Sequence, residues 1–78
     1  MQASTYPFQQ PMRSCLAARF PALTARELDV ALAIAQGMPN KLAARHAGMS
    51  PATVKTHLQS IFRKCGVSNR SALVLLAC

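Results

Sequence analysis

The 78-residue sequence predicts a small all-α domain, and three features support this fold class. Apolar residues recur three and four positions apart along most of the chain, which is the spacing of a helix face that packs against a core. Residues that cap helix starts and glycines that end helices separate these segments. No run alternates apolar and polar residues like a strand, and the core must be mainly aliphatic because the chain has one Tyr and three Phe.

Residues 1–22 precede the main helical segments. Their first half combines Gln, Ser, Thr and prolines without any period, which is typical of a flexible tail or linker. Apolar residues four positions apart then predict one further short helix over 12–20, with a side that needs a partner. They are Met12, Leu16 and Phe20. The predicted division is a tail or linker at 1–22 and a folded domain at 23–78.

The first main helix begins at Thr24, whose hydroxyl can accept a hydrogen bond from the amide three residues later while Glu27 reaches back to the cap. Gly37 ends it in a left-handed conformation. The residues expected to face the core are Val30, Ala31, Ile34 and Ala35. Leu28 and Leu32 widen this stripe, so we expect them to hold the short helix that precedes it. Glu27 is also expected to form a salt bridge, with an arginine as its partner.

Two further helices follow closely. Asn40 can cap the second helix, which Gly48 ends, and Met49 is expected to turn inward. Ser50 caps the third helix, predicted over 50–65, and a proline in its first position loses no hydrogen bond. Its apolar side consists of Val54, Leu58, Ile61, Phe62 and Cys65, and its other side carries Lys55, Thr56, Gln59 and Arg63 but no acidic residue.

A fourth helix is predicted at the end of the chain, with Ser68 as its cap. Its apolar residues are Leu73, Val74, Leu76 and Ala77. They exceed what one side of a short helix buries within a monomer, which favours self-association.

The second and third helices, with their tight turn, have the layout of a helix-turn-helix, whose second helix lies in the major groove of DNA. Where the helices cross, this layout needs a small residue, a turn glycine and a branched residue, and Ala44, Gly48 and Val54 occupy these places. The polar side of helix 50–65 can reach base edges and phosphates. Amides of Ala52 and Thr53 at its start, with the Thr53 hydroxyl, are further candidates for a phosphate.

The charge distribution also favours an anionic partner. Residues 40–78 carry six cations and no acidic residue, and the net charge of the whole chain is +7. The cations are Lys41, Arg45, Lys55, Arg63, Lys64 and Arg70. Such a segment attracts phosphate, in nucleic acid or at a membrane surface.

Other classes of function find no support in the residues. Cys15, Cys65 and Cys78 lack the spacing of a disulfide framework or a zinc site and suit a reducing compartment. We expect no metal, no cofactor and no enzymatic activity, since no nucleophile with a base and no glycine-rich phosphate loop occurs. No apolar run is long enough to span a bilayer and the start is unlike a signal peptide, so we expect a cytoplasmic protein without membrane contact.

The sequence from Leu23 to Cys78 resembles the LuxR-type, or FixJ/NarL-type, DNA-binding domain. The motifs that carry the resemblance are L-T-x-R-E at 23–27, G-x-x-N-K at 37–41, S-x-x-T-V-K-x-H at 50–57 and I-x-x-K-x-G-V at 61–67, followed by Asn69 and Arg70. The resemblance implies a four-helix domain that binds double-stranded promoter DNA as a homodimer and regulates transcription. It leaves RNA polymerase open as a further partner.

The resemblance also implies roles for particular residues. Carried over by position, the DNA-base contacts are Lys55, Thr56 and Gln59, and the DNA-phosphate contacts are Asn40, Lys41, Thr53, His57, Arg63 and Lys64. His57 also borders the apolar stripe, where it would support the fold instead. The dimer face is Leu73 and Leu76 of the fourth helix.

The chain departs from the family pattern in its core. Ala31, Ala43, Ala47 and Cys65 stand where the family usually has larger aliphatic residues. We expect Met38, Met49, Leu28 and Leu32 to compensate for the lost volume.

Three functions remain open from the sequence. The first is a sequence-specific transcription regulator, present either as an excised effector domain or as a small stand-alone protein. The second is a promoter-recognition module similar to region 4 of a sigma factor. The third is an interaction module that pairs through its fourth helix with full-length regulators.

Overall fold

The computed structural model describes residues 9–76, with side chains from residue 13 onward, and this part of the chain contains five helices and no strand. The helices are α1 (Gln9–Arg19), α2 (Ala25–Ala35), α3 (Asn40–Ala47), α4 (Pro51–Cys65) and α5 (Arg70–Leu76). The predicted all-α class is confirmed. The further short helix is present as α1, and the four main helices follow in the predicted order.

Helix α1 begins earlier than its apolar pattern indicates. Gln9, Gln10 and Pro11 form its first turn, so the predicted tail does not extend this far. Proline is tolerated there because the first amides of a helix have no acceptor within it. The rest of the predicted tail, residues 1–8, lies outside the described residues.

The main core lies where α2, α3, α4 and α5 meet. Its buried residues are Val30, Ala31, Ala33, Ile34, Ala43, Ala44, Ala47, Val54, Leu58, Ile61 and Leu73. The predicted crossing of α3 and α4 is confirmed, because Ala44 and Val54 are buried there and Gly48 has the left-handed backbone of the turn. Met38 and Met49 pack against this core as expected.

A second apolar cluster joins α1 to α2. Leu16, Leu28 and Leu32 form its buried centre, and Phe20 and Leu23 pack at its edge. The prediction that Leu28 and Leu32 hold α1 is therefore confirmed. Leu28 and Leu32 belong to this second cluster and not to the main core, so any compensation they provide for the smaller core residues comes from outside the main core.

Two polar contacts also hold α1. Arg13 Nη1 lies 2.8 Å from Asp29 Oδ1 of α2. Arg19 Nη1 donates to the carbonyl oxygen of Leu76, at the end of α5, over 2.6 Å. Helix α1 is therefore tied to both the first and the last main helix of the domain.

Helices α2, α3 and α4 end in the same way. Each runs into a glycine with positive φ; these are Gly37 at 89°, Gly48 at 70° and Gly66 at 72°. The next residue donates its amide to the carbonyl five positions earlier; these residues are Met38, Met49 and Val67, with bonds of 3.1, 2.9 and 3.0 Å. All three of these side chains pack against the main core. In this Schellman motif, the residue whose amide closes the helix end also packs its side chain against the core.

Two predicted caps are corrected by the structure. Pro39, and not Asn40, is the N-cap of α3, because Asn40 is already helical and its side-chain oxygen accepts from Arg70. At α5, Asn69 Oδ1 accepts from the amide of Ala72 over 2.8 Å. Asn69 therefore performs the capping role predicted for Ser68.

Helix α5 divides its apolar residues between the core and the surface. Leu73 is 1% exposed and belongs to the main core, so the prediction of Leu73 as a dimer-face residue is wrong. Leu76 is half-buried, whereas Val74 and Leu75 are 38% and 84% exposed. Ala77 lies outside the described residues. The surface that α5 offers is thus centred on Leu75.

Within residues 9–76, none of the five helices combines the length and the apolar character that a membrane crossing requires.

Candidate nucleic-acid interface

Helix α4 begins with a complete cap. Ser50 Oγ accepts from the amide of Thr53 over 3.2 Å, and Pro51 takes the first helical position, as predicted. The Ser50 and Thr53 hydroxyls are also 2.9 Å apart. The expectation that the Thr53 amide is available to a phosphate is therefore wrong. The Thr53 side chain remains exposed at the helix start.

The two sides of α4 differ as the sequence predicts. Val54, Leu58 and Ile61 are buried against the core, at 0%, 5% and 0% exposure. The exposed residues of the other side include Lys55, Thr56, Gln59 and Arg63. His57 is half-buried between them, which agrees with its place beside the apolar stripe. The 15 residues of α4 include no carboxylate, so this exposed side carries only positive and neutral polar groups.

Most polar groups on this side are available to a ligand. Within the described residues, the side chains of Lys55, Gln59 and Arg63 take part in no hydrogen bond or ion pair. The Thr56 hydroxyl donates to the carbonyl oxygen of Ala52 over 3.2 Å, which leaves its lone pairs as acceptors. The structure therefore brings the three predicted base-contact residues together on one exposed side of one helix.

A buried carboxylate fixes α4 against the start of α2. Glu27 is 5% exposed and completes the predicted capping box with Thr24. Its Oε1 lies 2.7 Å from Lys64 Nζ, and its Oε2 accepts from Ser60 Oγ over 2.6 Å. The predicted salt bridge thus exists, but its partner is a lysine of α4 and not an arginine.

The hydrogen bonds at Glu27 outweigh the effect of its burial. Burial alone would raise the pKa of the carboxyl, but the bonds from Lys64, Ser60 and the Thr24 amide lower the pKa from its ordinary value of 4.5 to about 2. Glu27 is therefore ionised throughout the physiological range. Because the Lys64 charge is compensated by this carboxylate, we do not retain Lys64 among the phosphate contacts.

The remaining cations are not balanced in the same way. The two acidic side chains of the chain, Glu27 and Asp29, pair with Lys64 and Arg13. No side-chain carboxylate is left for the cations of α3 and of the exposed side of α4, which are Lys41, Arg45, Lys55 and Arg63. Helices α3 and α4 therefore create a positive electrostatic field, which attracts phosphate.

The start of α3 holds a second polar arrangement. Asn40 Oδ1 accepts from Arg70 Nη1 over 2.6 Å, and Arg70 Nη2 donates to the carbonyl oxygen of Met38. Lys41, the next residue of α3, is exposed. Two predicted phosphate contacts, Asn40 and Lys41, are thus adjacent at one helix start.

The cysteines provide no reactive centre in the described part of the chain. Burial raises the pKa of the Cys65 thiol, and the charge of Glu27 raises it further, against a smaller opposite effect of Arg19. A thiol with a raised pKa is a weak nucleophile at neutral pH, so Cys65 acts as part of the core. Cys15 is disulfide-bonded, which corrects the expectation from the cysteine spacing. Within residues 9–76, no three His, Cys, Asp or Glu side chains are grouped in a way that could hold a metal ion.

The polar contacts of Ser60 with Glu27 and of Arg70 with Asn40 are features of this surface that sequence reasoning missed. Ser60 lies four positions before Lys64, on the border of the apolar stripe of α4, so both side chains are on the same side of the helix. A buried acid such as Glu27 needs donors of this kind. The spacing of Ser60 and Lys64 could therefore have indicated their contact with Glu27. The bridge from Arg70 joins residues about thirty positions apart, and no local pattern indicates it.

Comparison with known proteins assigns the family. The model described as "Bacterial regulatory proteins, luxR family" matches residues 21–77. A monoamine regulon transcriptional regulator of Klebsiella aerogenes is 46% identical over 66 residues, which cover 81% of this chain and 29% of that protein. The nitrate/nitrite response regulator protein NarP of Escherichia coli (strain K12) is 44% identical over 57 residues, which cover 73% of this chain and 26% of that protein. No solved structure matches the chain.

A helix-turn-helix with an exposed cationic side on its second helix, together with this match, defines a LuxR-type DNA-binding domain of a transcription regulator. The chain belongs to the luxR family of bacterial regulatory proteins. The predicted family is confirmed. The chain spans between 26% and 29% of the length of the two relatives described above.

Proposed function

We propose that this domain binds double-stranded promoter DNA as a homodimer, in a sequence-specific manner, and thereby regulates bacterial transcription. In this proposal α4 lies in the major groove. A cytoplasmic location follows, because bacterial promoters lie there. Regulation requires further that the bound dimer help or hinder RNA polymerase at the promoter.

The exposed side of α4 is the observation that carries the proposal. A helix fits the major groove of B-DNA, and its exposed side chains then lie opposite base edges. Lys55 donates to guanine O6 or N7, and Gln59 can donate to and accept from adenine. Thr56 offers acceptor lone pairs beside them. An acidic residue on this side would be repelled by the phosphates, and α4 has none.

Contacts with the phosphates would fix the position of α4 without reading sequence. Lys41 and Arg63 supply exposed positive charges at the start of α3 and near the end of α4. Thr53 and Asn40 supply neutral donors in the first turns of α4 and α3, where the helix dipole favours an anion. His57, half-buried further along α4, supplies a ring nitrogen as a further donor. We include these five residues as phosphate contacts.

Helix α5 supports the homodimer in the proposal. Leu75 is 84% exposed and Val74 is 38% exposed, and Leu76 is half-buried beside them. Exposed leucines on the last helix of a small domain lose their contact with water when two copies associate. The contribution of Leu76 to the dimer face is retained, whereas the surface is centred on Leu75.

The experiment that tests the proposal is selection from a pool of random duplexes with the purified chain, over a salt series and several protein concentrations. The expected result is an enriched motif with two-fold symmetry, bound cooperatively as the protein concentration rises. Leu75→Asp should remove the cooperativity and leave binding of a single half-site. Its matched control is Leu42→Asp, because Leu42 is also exposed, at 48%, but lies on α3.

Salt-sensitive binding without any enriched motif would contradict the proposal of sequence-specific recognition. The domain would then act as an interaction module that depends on a full-length partner. Enrichment of a single asymmetric motif would instead contradict the homodimer, and would favour a module similar to region 4 of a sigma factor.

A further inference from the structure

Arg70 connects two segments that are distant in sequence. It is the first residue of α5, and its two terminal nitrogens donate to Asn40 Oδ1 and to the carbonyl oxygen of Met38. Met38 lies in the turn between α2 and α3, and Asn40 is the first residue of α3. Arg70 and Asn40 are both half-buried. This bridge therefore attaches the start of α5 to the start of α3.

The bridge determines which way the Asn40 amide group faces. A guanidinium group only donates hydrogen bonds, so the oxygen of the Asn40 amide must face Arg70. The nitrogen of the same planar group, Nδ2, is then turned away from the guanidinium. Within residues 13–76, no buried side-chain nitrogen or oxygen lacks a partner. Since Nδ2 of Asn40 donates to no protein atom there, it must reach solvent.

Within the described residues, no carboxylate compensates the charge of Arg70. Both of its acceptors are neutral, and the carboxylates of Glu27 and Asp29 are paired elsewhere. Lys41 is exposed immediately after Asn40. The start of α3 thus combines an oriented donor with two positive charges, and the helix dipole adds to their attraction for an anion.

We propose that Arg70 is a positioning residue for DNA binding, which orients the Asn40 amide so that Nδ2 donates to a DNA phosphate. Arg70 acts through the amide oxygen and does not itself touch DNA. This inference rests on the proposed function, because it concerns one phosphate contact of the same surface. It also makes the start of α5 a part of the DNA-binding arrangement.

A double-mutant cycle on the full 78-residue chain tests the inference. The ligand is a short duplex of mixed sequence, because a phosphate contact requires no particular base. Arg70→Lys keeps the charge but cannot hold two acceptors in a planar fork. Asn40→Ala removes the donor. Lys41→Ala is the matched control, since it removes a neighbouring phosphate contact that does not depend on Arg70.

The expected result is that each single variant binds the duplex about tenfold more weakly. The double variant Arg70→Lys/Asn40→Ala should bind no more weakly than Asn40→Ala alone, because Arg70 acts through Asn40. The losses of Arg70→Lys and Lys41→Ala should multiply. Thermal unfolding of every variant is measured in parallel, and affinities are compared at a temperature at which all of them are folded.

Two results would overturn the inference and leave DNA binding intact. One is multiplication of the Arg70→Lys and Asn40→Ala losses, and the other is an Asn40→Ala variant that binds like the original chain. A second measurement uses no DNA: the NMR signals of the Asn40 side-chain amide should shift in Arg70→Lys, and unchanged signals would also overturn the inference. If the original chain bound no duplex at all, the proposed function itself would fail.

Discussion

The ammonium group of Lys64 lies 2.7 Å from the buried carboxylate of Glu27, and this ion pair joins the last turn of α4 to the first turn of α2. Ser60, one turn earlier in α4, donates to the second oxygen of the same carboxylate. One side chain thus caps α2 and also fixes the helix that carries the proposed base contacts. The stability of the domain and the placement of α4 therefore depend on the same group.

The acid sensitivity of the domain should arise mainly from Glu27. Its pKa falls from 4.5 to about 2 on folding, so the folded state binds fewer protons between these values. The contribution to stability is present in full above the unfolded pKa and is lost as the pH falls from about 4.5 to about 2, by up to about 3 kcal/mol. Glu27→Gln should be about 1–3 kcal/mol less stable at neutral pH and should lose this pH dependence.

Urea unfolding between neutral pH and pH 2 measures this effect. Asp29→Asn is the matched control, because Asp29 forms a more exposed ion pair, with a side chain that is 35% exposed. Such pairs contribute about 0–1 kcal/mol. An equal loss of pH dependence in both variants would contradict the assignment to Glu27.

Neighbouring cations at the end of α4 should have separate effects. Lys64→Gln removes the only cationic partner that the described residues give the buried Glu27 carboxylate, so it should lower stability by about 1–3 kcal/mol. Arg63→Gln removes an exposed charge, so it should leave the melting temperature unchanged and weaken DNA binding. Calorimetry and duplex titration distinguish the two. A lower melting temperature for Arg63→Gln, with none for Lys64→Gln, would reverse these roles.

The proposed base contacts should differ from the proposed phosphate contacts in specificity. Lys55→Ala or Gln59→Ala should cost about 1–3 kcal/mol on the selected duplex and should relax base preference. Lys41→Ala should weaken binding to all duplexes alike and reduce the salt slope by about 1. Titration on selected and scrambled duplexes over a salt series measures both effects. Equal losses on both duplexes for Gln59→Ala would remove it from the base contacts.

The turn between α3 and α4 should require a glycine at position 48 because of its left-handed backbone, and not because a side chain there would clash. A Cβ atom at this position would meet no atom within 4 Å, but the φ of 70° is unfavourable for a residue with a side chain. Gly48→Ala should therefore reduce stability by about 1–2 kcal/mol through backbone strain alone. Gly48→Asn should recover part of the loss, because Asn tolerates this conformation better. Chemical unfolding of both variants provides the measurement.

Helix α1 should be a stabilising part of the domain. Leu28→Lys places a charge in the cluster that holds α1, where Leu28 is 7% exposed, so it should cost about 2–5 kcal/mol. Leu42→Lys is the control, because the same change at an exposed position costs little. Thermal unfolding and hydrogen exchange in α1 measure the result. An unchanged melting temperature for Leu28→Lys would contradict this role of α1.

The sequence was sufficient for the order of the helices because local signals determine them. The capping box of Thr24, the Ser50-Pro51 start and the glycine ends all involve residues within a few positions of one another. The exposed side of α4 was also predictable, since helical spacing alone separates Lys55 and Gln59 from the apolar residues. The family motifs place the same residues on the same helix.

The errors have a common physical cause, which is competition from distant partners. Asn40 was predicted as a cap because its side chain suits that role, but Arg70 holds its oxygen instead. Lys64 was predicted as a phosphate contact, and the structure pairs its ammonium group with a buried carboxylate of α2. Leu73 was assigned to the surface because local spacing cannot show that it belongs to the main core. Such contacts require the packed structure.

The Schellman motifs that end α2, α3 and α4 restrict where residues can be inserted in the connections that follow these helices. In each of three connections the glycine and the apolar residue after it are consecutive, because the amide that closes the motif and the side chain that enters the core belong to the same residue. An insertion between Gly48 and Met49 would withdraw that side chain from the core and break the hydrogen bond to Ala44. Relatives of this domain should therefore tolerate changes of residue type in these connections better than insertions and deletions, and added residues should occur beyond the pair, as after Val67.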